Sequence, residues 1–200
     1  MPSPRTYSGR RAARDFLRRI REVYKLVADA ELADAWPGND VLIVGHGVTP
    51  SSRRGRPVHL SNGMYLNVEF TLRARDSAPL NLVTSRASYT YQAGQDVDDP
   101  RPLFTYQYDR NAPFPYPRCH LHVFAVPDAY AQERPFSRLH LPTRRVTLEQ
   151  IVWHLIQEHD VEPRRDDWRQ VLWRHEAWFR TIQQGRAWPY DRPFDPPGVS

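Results

Sequence analysis

The stretch MYLNVEFTLRA, residues 64–74, decides the predicted fold, because apolar and polar side chains alternate along its whole length. Successive side chains of a β-strand point to opposite faces of the sheet, so this alternation predicts a strand with one apolar and one polar face. The apolar positions are Met64, Leu66, Val68, Phe70, Leu72 and Ala74. A strand that is buried on only one face is typical of antiparallel sheets.

Four further segments extend the predicted sheet. They are an apolar run at 41–48, a segment rich in β-forming residues at 80–92, and two shorter segments at 103–109 and 119–126. Loops without an intervening helix join these consecutive segments, which favours an antiparallel meander. We therefore predict one antiparallel sheet of four to five strands within residues 40–126.

A long helix is predicted before the sheet, within residues 1–38. Ser8 is a suitable N-cap, and apolar residues recur every three or four positions up to about Trp36. Pro37 and Gly38 then stop the helix.

A helical pair is predicted after the sheet, over residues 147–185. Thr147 and Gln150 have the spacing of a capping box at its start. The proline-rich residues 186–200 predict an extended tail. Together these elements predict a single α+β domain over residues 1–200, in which a long N-terminal helix and a C-terminal helical pair accompany an antiparallel meander.

The composition excludes several classes of protein. One cysteine, Cys119, cannot form an intramolecular disulfide, so a reducing compartment is expected. No segment approaches the roughly 18 apolar residues of a membrane span, and the first residues lack the apolar core of a signal peptide. We expect a soluble, cytoplasmic protein with no membrane partner. The net charge of +5 permits an anionic partner, either nucleic acid or an acidic protein.

The predicted N-terminal helix carries basic residues opposite its apolar side. A helix turns about 100° per residue, so cations spaced by three or four positions share one face. The arginine stripe consists of Arg11, Arg14, Arg18, Arg21 and Lys25. It is either a solvated outer surface or a face that binds nucleic acid or an acidic protein.

The segment PRCHLHVFAV, residues 117–126, places two histidines on a predicted strand. His120 and His122 are two positions apart, so they share a face and lie about 6.6 Å apart along the strand. Three roles are open: hydrogen-bonded structural residues, an acid–base pair that contacts an anion, or metal ligands. Arg118 adds the cation with which a metal-independent ribonuclease stabilises charge that develops on a phosphate.

A metal site at these histidines would require a third ligand, for which His46, His140 and Asp109 are the candidates. No four-ligand set has the spacing of a closed site, so we predict no tightly bound structural ion and no cofactor. His46 lies in VGHGV, where two glycines allow a sharp turn or a close backbone approach. The segment matches no nucleotide-binding motif.

Four motifs follow one another within residues 64–157: Y-x-Y-D, a proline-rich loop, H-x-H-V on a strand, and T-L-E-Q at a helix start. Their order resembles that of the TumE-type toxins of bacterial toxin–antitoxin systems. The matching positions are Tyr108, Asp109, His120, His122, Val123, Leu148 and Glu149. Leu121 stands where the family often has a basic residue, and the chain adds a long N-terminal and a second C-terminal helix. The resemblance implies a toxin-like effector.

Two hypotheses for the function come from different classes. The first is an RNA-directed, toxin-like hydrolase that uses His120, His122 and Arg118, with Tyr108 and Asp109 contributing to binding. The alternative is a non-enzymatic accessory or interaction protein that binds an acidic partner or nucleic acid. A metal-dependent hydrolase is a further alternative. Histidine rings that open onto a cleft with an arginine in reach favour the first hypothesis, whereas buried rings bonded to the backbone favour the second.

Overall fold

A computed structural model describes residues 4–38, 40–52, 54–74, 82–96, 101–113, 116–124 and 141–182. Within these ranges the chain forms three helices and eight strands. In chain order the elements are α1 (Pro4–Tyr24), β1 (Leu32–Ala35), β2 (Val41–His46), β3 (Val58–His59), β4 (Tyr65–Ala74), β5 (Leu82–Gln92), β6 (Pro102–Asp109), β7 (Cys119–Val123), β8 (Leu141–Pro142), α2 (Leu148–Glu158) and α3 (Trp168–Ile182). The eight strands belong to one sheet, so the predicted α+β class is confirmed.

The sheet is antiparallel throughout, as predicted. Its strand order is β1-β2-β4-β5-β6-β7-β8, and β3 pairs with β4 beside this path. The predicted number of four to five strands is wrong, because β1, β3 and β8 contain only four, two and two residues. An alternation of period two cannot be recognised over so few residues, and pairing with a neighbouring strand defines them instead.

The N-terminal helix is confirmed, but both of its predicted ends are wrong. It begins at Pro4, before the predicted N-cap Ser8, and it does not extend to Trp36. α1 ends at Tyr24, and β1 then pairs with β2. Arg21 holds this change of direction, because its Nε donates to the backbone oxygen of Leu32 at 2.7 Å and its Nη2 lies 2.9 Å from Asp34 Oδ1. The apolar helical pattern continues beyond Tyr24, but pairing of β1 with β2 determines the structure there.

The alternation along β4 divides the sheet into two unlike faces. Leu66, Val68, Phe70 and Leu72 are at most 5% exposed, and they lie on what we call the core face. All three described helices contribute to the same apolar cluster. The ring of Phe16 in α1 meets that of Phe70 edge to face, with 5.6 Å between centroids. The described helices therefore cover the core face.

The opposite side of the sheet carries polar side chains, and we call it the polar face. On this face the cross-strand neighbours from β4 to β7 are Glu69, Ser88, Gln107 and His120. The loop between β2 and β3 folds over one end of this face. A Cβ atom added to Gly45 would lie 3.2 Å from the α-carbon of Gly55, so the close approach requires glycine.

The C-terminal helical pair is confirmed as α2 and α3. The predicted capping box is present, with Thr147 and Gln150 bonded reciprocally at the start of α2. The predicted tail at 186–200 lies outside the described residues. None of the helices in the described part of the chain has both the length and the apolar character that crossing a bilayer requires.

A buried histidine joins α3 to α1. His175 Nε2 lies 2.9 Å from Glu22 Oε2, and Arg174 also pairs with Glu22. Burial lowers the pKa of His175, although the hydrogen bond to Glu22 acts in the other direction. Burial alone would raise the pKa of Glu22, but the hydrogen bond with His175 and the charge of Arg174 lower it. The contact therefore favours a neutral histidine beside a charged carboxylate.

We expect the protein to lose stability as the pH falls below about 7.5, through the ordinary histidine pKa of 6.5. The folded-state pKa of His175 lies below its ordinary value of 6.5, so the unfolded chain binds the proton first and is favoured as the pH falls. Urea denaturation at a series of pH values would measure this loss, and His175→Gln should reduce it. An identical pH dependence in both proteins would contradict the expectation.

Candidate functional site

The polar face places the two predicted histidines side by side. His120 pairs with Gln107, and His122 pairs with Thr105, so both lie on the same face of the sheet. Their rings meet edge to face, with 4.9 Å between centroids. Phe124 continues this row, with its ring 6.1 Å from that of His122.

His120 is held on both sides of its ring. Nδ1 lies 2.8 Å from the backbone oxygen of Pro117, and Nε2 lies 3.2 Å from Gln107 Oε1. The residue is 5% exposed. A buried imidazole whose two nitrogens both have protein partners fits the structural role among the three that the sequence left open. His122 differs, because it is only half-buried.

The other residues predicted around the histidines have separate roles. Arg118 has an exposed side chain, and its backbone oxygen accepts from the N–H of Asp109 at 2.8 Å, which closes the β6–β7 loop. Asp109 Oδ1 accepts from the N–H of Asn111 at 2.9 Å. Tyr108 pairs with Cys119 and therefore lies on the core face, opposite the histidines. Within the described ranges, no hydrogen bond joins Arg118 to either histidine.

The structure divides the arginine stripe into two parts. Arg21 is used to hold β1, and Lys25 pairs with Glu31 in the loop before it. Arg11, Arg14 and Arg18 are exposed on α1. Arg18 lies 3.6 Å from Asp15, in a pair whose two side chains are 71% and 54% exposed, so the attraction is weak. The first half of the stripe is therefore the part that is open to a partner.

A second basic site, which we call the arginine groove, lies on the polar face. Arg54, Arg73 and Arg86 line a cavity of about 580 Å³. Glu69, Thr71 and Ser88 add polar groups, and Val41 and Ile43 add apolar surface. Sequence reasoning missed this site, because the three arginines come from a loop and from two strands. The signal available was that Arg73 and Arg86 lie at polar positions of the predicted strands.

A hydrogen bond fixes the loop that carries Arg54. Gly55 N donates to Glu69 Oε1 at 2.7 Å, and a Cβ atom on Gly55 would lie 2.9 Å from Asn67 Oδ1. A larger residue at position 55 would therefore need the Asn67 side chain to shift, so glycine suits the close approach of this loop to β4. Two strands and one docked loop thus bring three guanidinium groups together.

The described residues contain no cluster of three or more histidine, cysteine, aspartate or glutamate side chains that could hold a metal ion. Of the candidate third ligands, His46 ends β2 with its Nδ1 3.2 Å from the backbone oxygen of Glu31, and His140 lies outside the described residues. Gly47 turns the chain after His46 with a φ of +67°, as the sequence suggested. Burial raises the pKa of the Cys119 thiol, which favours its unreactive protonated form.

Comparisons of the chain with protein-family models, with curated proteins and with solved structures give no match.

His120→Ala should destabilise the protein by about 1–3 kcal/mol, because it removes a buried ring whose nitrogens contact the backbone oxygen of Pro117 and the side chain of Gln107. His59→Ala is the matched control, since His59 is an exposed histidine on a strand, and we expect a cost within about 0.5 kcal/mol. Urea denaturation measures both values. Equal stability of His120→Ala and the unaltered protein would contradict the structural role.

Proposed function

We propose that this protein binds nucleic acid and does not hydrolyse it. The observation that carries the proposal is the row of three exposed guanidinium groups, Arg11, Arg14 and Arg18, on consecutive turns of α1. The net charge of +5 adds a general attraction for polyanions. This is the binding role that the sequence left as the alternative to catalysis.

The spacing of these arginines suits a phosphate backbone. Arg11 and Arg18 are seven residues apart, which is about 10.5 Å along a helix axis. One strand of duplex DNA carries a phosphate about every 3.4 Å along the axis, so this row spans roughly three phosphates. Guanidinium groups bind phosphate oxygens in a bidentate manner and stay charged at every physiological pH.

The state of His120 supports binding over hydrolysis. Metal-independent cleavage of RNA needs two groups that exchange protons with the substrate. Both ring nitrogens of His120 already contact protein oxygens, and the ring is almost fully buried. Arg118 contributes its backbone to a loop, and its side chain has no described contact with the histidines. These contacts of His120 and Arg118 support binding rather than hydrolysis.

The double variant Arg14→Glu/Arg18→Glu should weaken binding to RNA and DNA oligonucleotides. With three phosphate contacts, the logarithm of the binding constant should fall with the logarithm of salt concentration with a slope of about −2 to −3. Loss of two contacts should reduce the magnitude of this slope by about 1.4 to 1.8. Fluorescence anisotropy of labelled oligonucleotides between about 50 and 200 mM salt measures both quantities.

Arg144→Glu/Arg169→Glu is the matched control, because it changes the total charge equally at two exposed positions outside α1. It should retain most of the salt slope. Absence of binding at low salt, or the same slope in the α1 double variant and the unaltered protein, would refute the proposal.

A toxin-like activity on RNA is the second candidate. It is favoured by the contact between the rings of His120 and half-buried His122, and by the resemblance to TumE-type toxins. The RNA recovered from the binding experiment distinguishes the two functions. We expect intact RNA. Cleavage that is lost in His122→Ala would replace non-catalytic binding with hydrolysis.

A further inference from the structure

We propose that the arginine groove is a binding site for a phosphate monoester of about nucleotide size. This site is separate from the exposed arginines of α1, so it does not depend on the function proposed above. The inference rests on the placement of three guanidinium groups, on the use of the nearby carboxylates, and on the size and wall of the cavity.

Strand register places two of the arginines on the same face. Arg86 in β5 pairs with Thr71 in β4, and Arg73 lies two residues further along β4. Both side chains are exposed, and no ion pair of either is present within the described ranges. Arg54 enters the same cavity from the loop between β2 and β3. The groove therefore presents guanidinium groups from three separate segments.

The charge of the lining suits a dianion. Arg73 and Arg86, which form no ion pair within the described ranges, give the lining two positive charges. A phosphate monoester carries about −1.5 to −2 charges near neutral pH, and its oxygens accept bidentate hydrogen bonds from arginine. A phosphodiester, with a single charge, matches this lining less well.

The two carboxylates near the groove each accept a hydrogen bond from a backbone N–H. Glu69 Oε1 accepts from Gly55 N at 2.7 Å, so this side chain holds the loop in place. Asp109 is the cross-strand partner of Arg86, but its Oδ1 accepts from the N–H of Asn111 at 2.9 Å. Neither carboxylate forms an ion pair with Arg86 within the described residues. The guanidinium group of Arg86 thus keeps its hydrogen-bond donors for a ligand.

The cavity is larger than a phosphate ion. Its volume of about 580 Å³ lies within the roughly 300–1,000 Å³ range of small-molecule sites. Val41 and Ile43 supply apolar surface, which suits the body of a ligand whose phosphate contacts the arginines. Hydroxyl groups on that ligand match the side chains of Ser88 and Thr71. A phosphorylated sugar or nucleoside has this combination of groups.

Isothermal titration of the full chain with adenosine monophosphate, adenosine and inorganic phosphate tests the site. We expect the monophosphate to bind at least about tenfold more tightly than adenosine, because each charge-assisted hydrogen bond contributes strongly to affinity. Inorganic phosphate should bind more weakly than the monophosphate. Equal affinities for adenosine and its monophosphate would overturn the proposal.

Variants identify the residues that bind the phosphate. Arg73→Gln/Arg86→Gln should weaken binding of the monophosphate by at least about tenfold. Arg169→Gln is the control for loss of an exposed arginine on α3 and should bind normally. Circular dichroism and thermal melting verify folding. The affinity of Arg86→Lys, which keeps the charge, should lie between those of the Arg73→Gln/Arg86→Gln variant and the unaltered protein. Unchanged binding by a folded Arg73→Gln/Arg86→Gln variant would refute the site.

Two further arms identify the source of the phosphate. The first arm compares an RNA oligonucleotide that has a 5′-phosphate with its 5′-hydroxyl form and with the free monophosphate. If the 5′-phosphate oligonucleotide binds most tightly, the groove binds the ends of nucleic acids. Tighter binding of the free monophosphate would assign it to small molecules. The Arg14→Glu/Arg18→Glu variant should still bind the monophosphate, so failure of the groove proposal and failure of the proposed function are distinguishable.

Discussion

The two-faced character of β4 is the constraint on which the rest of the structure depends. Its apolar residues occupy the core face, and its polar residues, including Glu69 and Arg73, occupy the other. A shift of register by one residue would exchange these two sets, at the cost of removing Leu66 and Phe70 from the core. Pairing on both sides of β4 therefore fixes which side chains of β2 and β5 reach each face.

This division determines where chemistry is available. The core face is covered by the described helices, so the tyrosines of β6 that lie there, Tyr106 and Tyr108, contribute mainly to packing. The polar face instead receives both histidines of β7 and two arginines of the groove. A hydrogen bond from a glycine in the neighbouring loop then adds Arg54, so a backbone contact completes a cationic site.

The histidine pair and the arginines illustrate opposite uses of polar groups in a fold. The nitrogens of the buried His120 ring contact Pro117 and Gln107 inside the protein, and these contacts stabilise the β6–β7 region. Arg73 and Arg86 remain exposed, so their hydrogen-bonding capacity is directed to solvent or to a ligand. One histidine of the motif that suggests catalysis is thus held by protein contacts, whereas residues outside any motif form a site with exposed arginines.

The sequence by itself determined the features that depend on local period. These include the alternation of β4, the capping box of Thr147 and Gln150, and the shared face of His120 and His122. Only the tertiary structure decided where α1 ends, because Arg21 contacts the β1 backbone across a turn. The tertiary structure also decided that β1, β3 and β8 form and where the arginine groove lies. Strand register and loop docking bring together residues that are distant in sequence. A local pattern records which side of an element is apolar, but it contains no information about which other element lies beside it.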